Sequence, residues 1–280
     1  MIPNPRFSKL RKSFWASVRS ISQHCGYTQD GAIKIPTLDE MRAAYVALGL
    51  EALTLNLPLA GDTSMGEMLS AYFAERARML TQEAAPALMD AMEARAEFER
   101  LRREYNPRCP LPMNKQKGAM RAEAYLTGIV NILIEAHVAE NLVNYDPREL
   151  TTVTAGGAPL RTLARRVDGA FPSVVNPIAI WEVKEYYYTT TFGSRVADGV
   201  YETMLDGMEL EELRESENVD VLHYLMLDAR YTWWNCGRSY LCRIVDMLHM
   251  GYVDEVLVGR QVIERLPHLV RIWIQRLGTR

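Results

Sequence analysis

Two carboxylates and an ammonium group stand in a pattern suited to a hard divalent cation and a phosphodiester. Asp168 lies upstream of the strand-like run Ile178-Ala179-Ile180-Trp181-Glu182-Val183-Lys184. Metal-dependent cleavage of a phosphodiester needs anionic oxygens to hold the cation and a positive group beside the attacking water. On a strand, Glu182, Lys184, Tyr186 and Tyr188 point one way, while Trp181, Val183, Glu185 and Tyr187 point the other. An apolar strand that turns abruptly to Glu-x-Lys places a charged pair at a sheet edge or in a cleft. That is costly unless a ligand or partner uses it.

The segment Arg165-Arg166-Val167-Asp168-Gly169-Ala170-Phe171 reads as the preceding strand, and a hairpin-like connection over 172–176 would set Asp168 beside Glu182. The two carboxylates and the backbone carbonyl of Val183 would then hold one Mg²⁺, which takes about six oxygen ligands and keeps several waters. Lys184 would position or deprotonate the nucleophilic water and offset charge on the phosphorane. A bare Glu-x-Lys triplet is common on solvent-facing strands. The upstream Asp-Gly, the apolar strand entry and the surrounding order of elements give this one its weight.

Those elements begin with a part that reads as helical through residue 105. Thr37-Leu38-Asp39-Glu40 and Ser64-Met65-Gly66-Glu67 are capping boxes, each opening an apolar-faced helix. Gly49 fits the stop of the first, and Pro86 breaks or kinks the second. Leu88, Met89, Met92, Phe98 and Leu101 then continue an apolar stripe that reads as core packing. Three prolines in 107–112 exclude helix there and mark a linker. Beyond it the pattern predicts a helix over 117–142, strands over 150–154, 163–171 and 177–188, and a helix capped by Ser194. The run Val221–Leu227 reads as a strand covered on both faces, with His223 a hydrogen-bonded core histidine. A helix over 237–250, a strand over 253–258 and a terminal helix complete the order. The expected fold is α/β in the mixed α+β sense: a helical part over 1–112, for DNA binding, dimerisation or both, then a mixed central sheet flanked by helices over 113–280.

The element order and Asp168…Glu182-Val183-Lys184 together resemble the PD-(D/E)xK nuclease superfamily, which includes many type II restriction endonucleases. The block from Asn176 to Tyr187, followed by Phe192-Gly193-Ser194-Arg195, is similar to its restriction-endonuclease-type members; valine rather than proline precedes Asp168. The resemblance covers about half the chain and implies a core of order α-β-β-β-α-β, with Asp168 and Glu182 as metal ligands and Lys184 as the catalytic lysine. Many members add a carboxylate from the first core helix. Glu123 and Glu135 both qualify, and Glu123 is preferred because Lys115, Lys117 and Arg121 lie nearby.

The chain has 280 residues, 48 % of them hydrophobic, and a net charge of −3, which argues against indiscriminate coating of nucleic acid. Local basic patches do exist. Arg6, Lys9, Arg11, Lys12 and Arg19 fall among the first twenty residues without an acid, and Lys115 and Lys117 belong to a second patch over 102–121. These groups, with Tyr186, Tyr188, Ser194 and Arg195, are the expected DNA contacts. Thr189, Thr190, Thr191 and Ser194 read equally as phosphate donors at a helix N-terminus and as helix caps. The tyrosines read equally as sheet packing, and Trp233-Trp234 with Arg230 and Arg238 as either a DNA-facing cluster or buried indoles. Asp198, Glu202, Asp206 and Glu209 read as a solvated helix face, and the acidic stretch 206–220 should lie away from any phosphate path. The four cysteines lack paired metal-ligand spacing and read as reduced thiols. No signal peptide or membrane span is expected, so the protein should be cytoplasmic.

The expected activity is Mg²⁺-dependent endonucleolytic hydrolysis of double-stranded DNA, with Mn²⁺ able to substitute, by a sequence-specific restriction or related anti-phage enzyme. A homodimer suits cutting both strands, and a cognate DNA methyltransferase or another defence-system subunit is an expected partner. The rival readings keep the fold: a catalytically silent nucleic-acid-binding or assembly subunit, or a repair or effector nuclease.

Overall fold

In the computed structural model, residues 1–8, 10–118, 121–138, 142–188 and 193–279 are described. The N-terminal part runs α1 (Lys12–Cys25), β1 (Thr28–Gln29), β2 (Ala32–Ile33), α2 (Leu38–Ala47), β3 (Pro58–Ala60), β4 (Thr63–Ser64) and α3 (Met65–Arg78). Both capping boxes form, from Thr37 with Glu40 and from Ser64 with Glu67. The two small hairpins, β1–β2 and β3–β4, depart from the all-helical expectation. Each turns at a positive-φ pair or glycine, Asp30-Gly31 and Gly61, so short turn chemistry overrode the helical reading.

After α3 the chain widens into a π turn over Met79–Ala84 and a last turn, α4 (Ala85–Ala87), before Leu88 becomes extended. A third capping box, Asp90 with Glu93, opens α5 (Ala91–Tyr105). Its buried face is Ala94, Phe98 and Leu101, whereas Met92 is exposed and does not join the stripe. The predicted helix over 117–142 is shorter, α6 (Tyr125–Glu135), with Tyr125, Ile129, Ile132 and Leu133 buried as expected.

Strands β5 (Asn144–Tyr145), β6 (Thr152–Ala155), β7 (Ala158–Thr162), β8 (Gly169–Phe171) and β9 (Ala179–Glu185) follow, then α7 (Ser194–Glu217), β10 (Leu222–Asp228), α8 (Arg238–Met250), β11 (Glu255–Val258) and α9 (Arg260–Leu277). The main sheet has the order β11-β10-β9-β8-β5, with β9, β10 and β11 mutually parallel and β8 and β5 antiparallel to their neighbours. The fold is mixed α+β, as expected. Segments 150–154 and 163–171 do not act as two sheet strands: β6 and β7 form a separate hairpin, and only Gly169–Phe171 enters the sheet. Gly156 and Gly157, both at positive φ, make that hairpin turn.

Both faces of the sheet are covered. Trp181, Tyr224 and Met226 meet α5, α6 and α9 through Phe98, Ile129 and Trp273, while Leu225, Leu227 and Val256 meet α7 and α8 through Val200, Leu241 and Val245. Trp181 and Trp273 stack at 5.5 Å and 8°. Trp181 also lies across Gly169, where an added Cβ would approach its ring to 2.1 Å, which explains glycine beside Asp168. The alternation of β9 thus sends Trp181 to one face and commits Glu182 and Lys184 to the α7 face.

Trp273→Ala should cost about 3–5 kcal/mol, because it removes a fully buried indole and leaves Trp181 facing a cavity. Urea unfolding midpoints check this, and a loss below about 1 kcal/mol would show that the stack does not organise this layer.

Candidate active site

Asp168, Glu182 and Lys184 come together at the β8–β9 pair. Asp168 sits immediately before β8; its N–H donates to Trp181 O (3.2 Å), and its Oδ2 accepts from Val183 N (2.8 Å). Because a strand residue directs its N–H and C=O to the same edge, the Val183 carbonyl faces the Asp168 side of β9. Lys184 Nζ lies 2.7 Å from Glu182 Oε2, and both side chains are buried, with Glu182 at 0 % exposure. The strand alternation expected from sequence is therefore realised, and the hairpin-like connection brings Asp168 to the pair.

The sequence reading missed three further members. Glu202 and Asp206 project from α7 onto the same cluster, and Arg165 spans it. Arg165 Nη1 lies 2.6 Å from Asp206 Oδ2 and 2.9 Å from Glu182 Oε1, while its Nη2 lies 3.3 Å from Glu202 Oε2. Lys184 Nζ also donates to Glu202 Oε2 at 3.1 Å. Asp206 and Glu202 were expected on a solvated face, and Asp206 at the head of an acidic stretch remote from phosphate. Asp206 is instead fully buried and Glu202 half-buried. The missed signal is the series Gly199, Thr203 and Gly207 at four-residue spacing, which lets α7 approach the sheet closely. A Cβ at Gly199 would stand 3.2 Å from Lys184 Cδ, and one at Gly207 would stand 2.3 Å from Tyr252 O.

Four carboxylates and two cations sharing a buried site perturb one another. Burial, reinforced by Glu182, pushes Asp168 up to about 6. Burial and the same neighbour push Asp206 up to about 7. Burial would also raise Glu182, but Lys184 and Arg165 outweigh it and hold that carboxyl below the usual range. For Lys184, burial favours the neutral amine, yet Glu182 and Asp168 raise it above the ordinary lysine value. Lys184 is therefore an ammonium group near neutral pH. Of the two roles expected for it, that charge state suits orienting a water and offsetting anionic charge.

Beside Asp168 opens a cleft of about 490 Å³ whose walls include Lys115, Arg148, Arg165 and Arg166. Of the expected DNA contacts, Lys115 alone lines this cleft. Lys117 is exposed, and Lys9 and Thr189–Thr191 lie outside the described residues. Arg6 and Arg11 are exposed on the N-terminal part, and Lys12 faces Glu211 and Glu215 of α7 at 3.9 and 3.7 Å, so part of that patch is spent on protein acids. Tyr186 Oη donates to Arg195 O (3.1 Å), and Tyr188 Oη lies 3.4 Å from Tyr125 Oη, so both rings pack within the protein. Ser194 is the first residue of α7, but its side chain makes no cap bond; Gly193 holds the cap position.

The glutamates proposed from the first core helix stand elsewhere. Glu123 precedes α6, bridges Met113 and pairs with Arg102 at 3.4 Å, and Glu135 accepts from Arg108 N at 2.9 Å. Trp233 is fully buried, with its Nε1 donating to Asp228 O at 3.1 Å. His223 is the hydrogen-bonded core histidine expected, with Nδ1 2.8 Å from Tyr252 O, although its Nε2 is buried without a partner among the described residues.

A family model described as a domain of unknown function, DUF7687, matches residues 89–273. The chain belongs to the DUF7687 family. A second domain of unknown function, DUF7690, matches residues 1–83. The DUF7687 region begins just before α5, whose Phe98 and Leu101 share the core of the main sheet, and it contains every residue of the candidate site. No curated protein and no solved structure matches the chain. Among the described residues no helix is long and apolar enough to cross a membrane.

A raised carboxyl stabilises the native state below its unfolded value, near 3.8 for Asp206, and that contribution is lost as pH rises through about 7. In chelator-containing buffer, Asp206→Asn should match wild type near pH 4 and gain on the order of 1–3 kcal/mol relative to it at pH 8. Urea midpoints at the two pH values measure this. Parallel behaviour of the two proteins would show that Asp206 titrates normally.

Proposed function

We propose that the DUF7687 region is a divalent-metal-dependent endodeoxyribonuclease with a restriction-endonuclease-like core, acting on double-stranded DNA in a restriction or related anti-phage role. The observation that carries this reading is the convergence of Asp168, Glu182 and Lys184 from adjoining strands, with Asp168 lining a cleft whose walls also carry Lys115, Asp146, Arg148, Arg165 and Arg166. Carboxylate oxygens suit a hard cation, and guanidinium and ammonium groups suit a phosphate backbone.

The donor set fits Mg²⁺. Among the described residues Asp206 Oδ1 is buried without a hydrogen-bond partner and Glu182 Oε1 is met only by the Arg165 ion pair at 2.9 Å, which leaves anionic oxygen that a cation could satisfy. Asp168, Glu182 and the Val183 carbonyl would hold the metal, with Glu202 and Asp206 close by. When bound, Mg²⁺ supplies a polarised phosphoryl oxygen and a more acidic water.

The protein's own groups do the rest. Lys184, kept protonated by its carboxylate neighbours, orients the water and neutralises charge developing on the phosphorane. Arg165 supplies the counter-charge while the cation is away; transfer of its guanidinium to a substrate phosphate in the adjoining cleft frees Glu182 and Asp206.

One observation favours the rival reading of a catalytically silent DNA-binding or assembly subunit. Among the described residues no group of three or more His, Cys, Asp or Glu is poised to hold a metal ion, and Arg165 bridges the carboxylates instead. A single experiment separates the two readings. With Mg²⁺ or Mn²⁺, wild type should nick or linearise unmodified plasmid DNA, chelator should abolish cutting, and Lys184→Ala should cut on the order of 10²–10⁴-fold more slowly. Wild type that binds DNA without cutting over many sequences, or Lys184→Ala that cuts equally well, would remove the nuclease assignment.

A further inference from the structure

A second cavity, of about 460 Å³, opens where α1 and the turn after it meet α7 and α8. It lies at the seam between the DUF7690 and DUF7687 regions, on the opposite side of α7 from Lys184. Its walls present Arg19, Tyr27, Tyr201, Met204, Arg243 and Asp246.

The charges in these walls do not balance. Arg19 has no carboxylate partner among the described residues; its Nη2 instead lies 3.6 and 3.4 Å from the sulfurs of Met204 and Met250. Arg243 likewise has no carboxylate partner among them and stands over the rings of Tyr27 and Tyr240 at 4.6 and 4.9 Å. Behind the wall, Arg76 is fully buried, with Nη1 at 3.2 Å from Ser22 Oγ and from Asp246, while its Nε and Nη2 have no hydrogen-bond partner. Two guanidinium groups in the walls and a third behind them thus stand near a single lining carboxylate, Asp246, and the other walls combine Tyr27, Tyr201, Met204 and Met247 with Ser22, Gln23 and Val200.

That combination selects a flat organic anion. Guanidinium forks match phosphate oxygens, tyrosine and methionine surfaces match a flat ring, and the volume falls within the range of small-ligand pockets. We infer that this cavity binds a free nucleoside phosphate, with the phosphate on Arg19 and Arg243 and the base against Tyr201 and Met204; the Tyr27 ring is already covered by Arg76 and Arg243. The site needs no metal and does not depend on the nuclease reading. It does have a route to the other site. Val200, Tyr201 and Met204 line this cavity, and Glu202 and Asp206 of the same helix turns reach the carboxylate cluster. A ligand that shifts α7 would therefore shift both.

Isothermal titration of the full chain with adenosine and guanosine 5′-mono- and diphosphates tests the proposal, with the free nucleosides, inorganic phosphate and a short oligodeoxynucleotide as comparison arms. At least one nucleotide should bind with Kd on the order of 10 µM, and the matching nucleoside at least about tenfold more weakly. Arg19→Ala and Arg243→Ala should each weaken binding by about tenfold or more, and Tyr201→Ala, at an exposed position, should weaken it without threatening the fold. Chelator should leave nucleotide binding unchanged, which keeps this result separate from metal-dependent cutting. The proposal falls if no nucleotide binds at about 1 mM, if the arginine variants bind as wild type does, or if the oligonucleotide binds and no free nucleotide does.

Discussion

The carboxylate of Glu182 is the constraint around which this molecule is arranged. It is fully buried on a central strand, and a buried anion survives only if cations and donors replace the water it has lost. Arg165, from the segment entering β8, and Lys184, two residues along β9, supply that replacement. Each then needs its own counter-charge, which Glu202 and Asp206 provide from α7. One buried carboxylate therefore ties together two strands, a connecting segment and a helix. Removing Arg165 or Lys184 would strand the carboxylates in a low-dielectric site, whereas the intact network contributes little net stability. A network that is costly to build and weak as a stabiliser is what a binding or reaction site leaves in a fold.

The second organising feature is the separation of work between the faces of β9. Trp181 faces the α9 side and stacks on Trp273, while Glu182 and Lys184 face α7. The apolar face fixes the strand's register, and the register fixes the ionic groups. Gly169 lets the Trp181 ring lie across β8, and Gly199 lets α7 settle against the stem of Lys184. Backbone close approach, rather than side-chain chemistry, sets the distance between the helix and the ionic groups.

Much of this was legible in the sequence, for identifiable reasons. The capping boxes at Thr37 and Ser64 are local and self-contained, so they form as read. The continuous apolar run of β10 and the alternation through Glu182 and Lys184 are direct records of burial on a sheet. What escaped were features set by tertiary partners. Asp206 looks like any charged helix residue until Arg165 is placed opposite it, and Arg165 looks like surface until Asp206 is. The helix expected over 117–142 shrank to Tyr125–Glu135, and the strand expected over 163–171 shrank to Gly169–Phe171. Hydrophobicity did not mark those ends; loop and hairpin geometry did.

The pairing of Arg76 with Asp246 bears on how the protein can be dissected. Arg76 belongs to α3 and Asp246 to α8, and Tyr72 Oη donates to the same carboxylate at 2.5 Å. Asp246 is itself nearly solvent-free. Deleting the first three helices would take from Asp246 both its partners, Tyr72 and Arg76, and bare the apolar residues of α8 that pack beside them. The two regions are therefore bound by mutual electrostatic need. The boundary between the two matched ranges runs through a shared apolar cluster, in which Ile33, Ala77 and Leu80 meet Leu225, Leu241 and Val256.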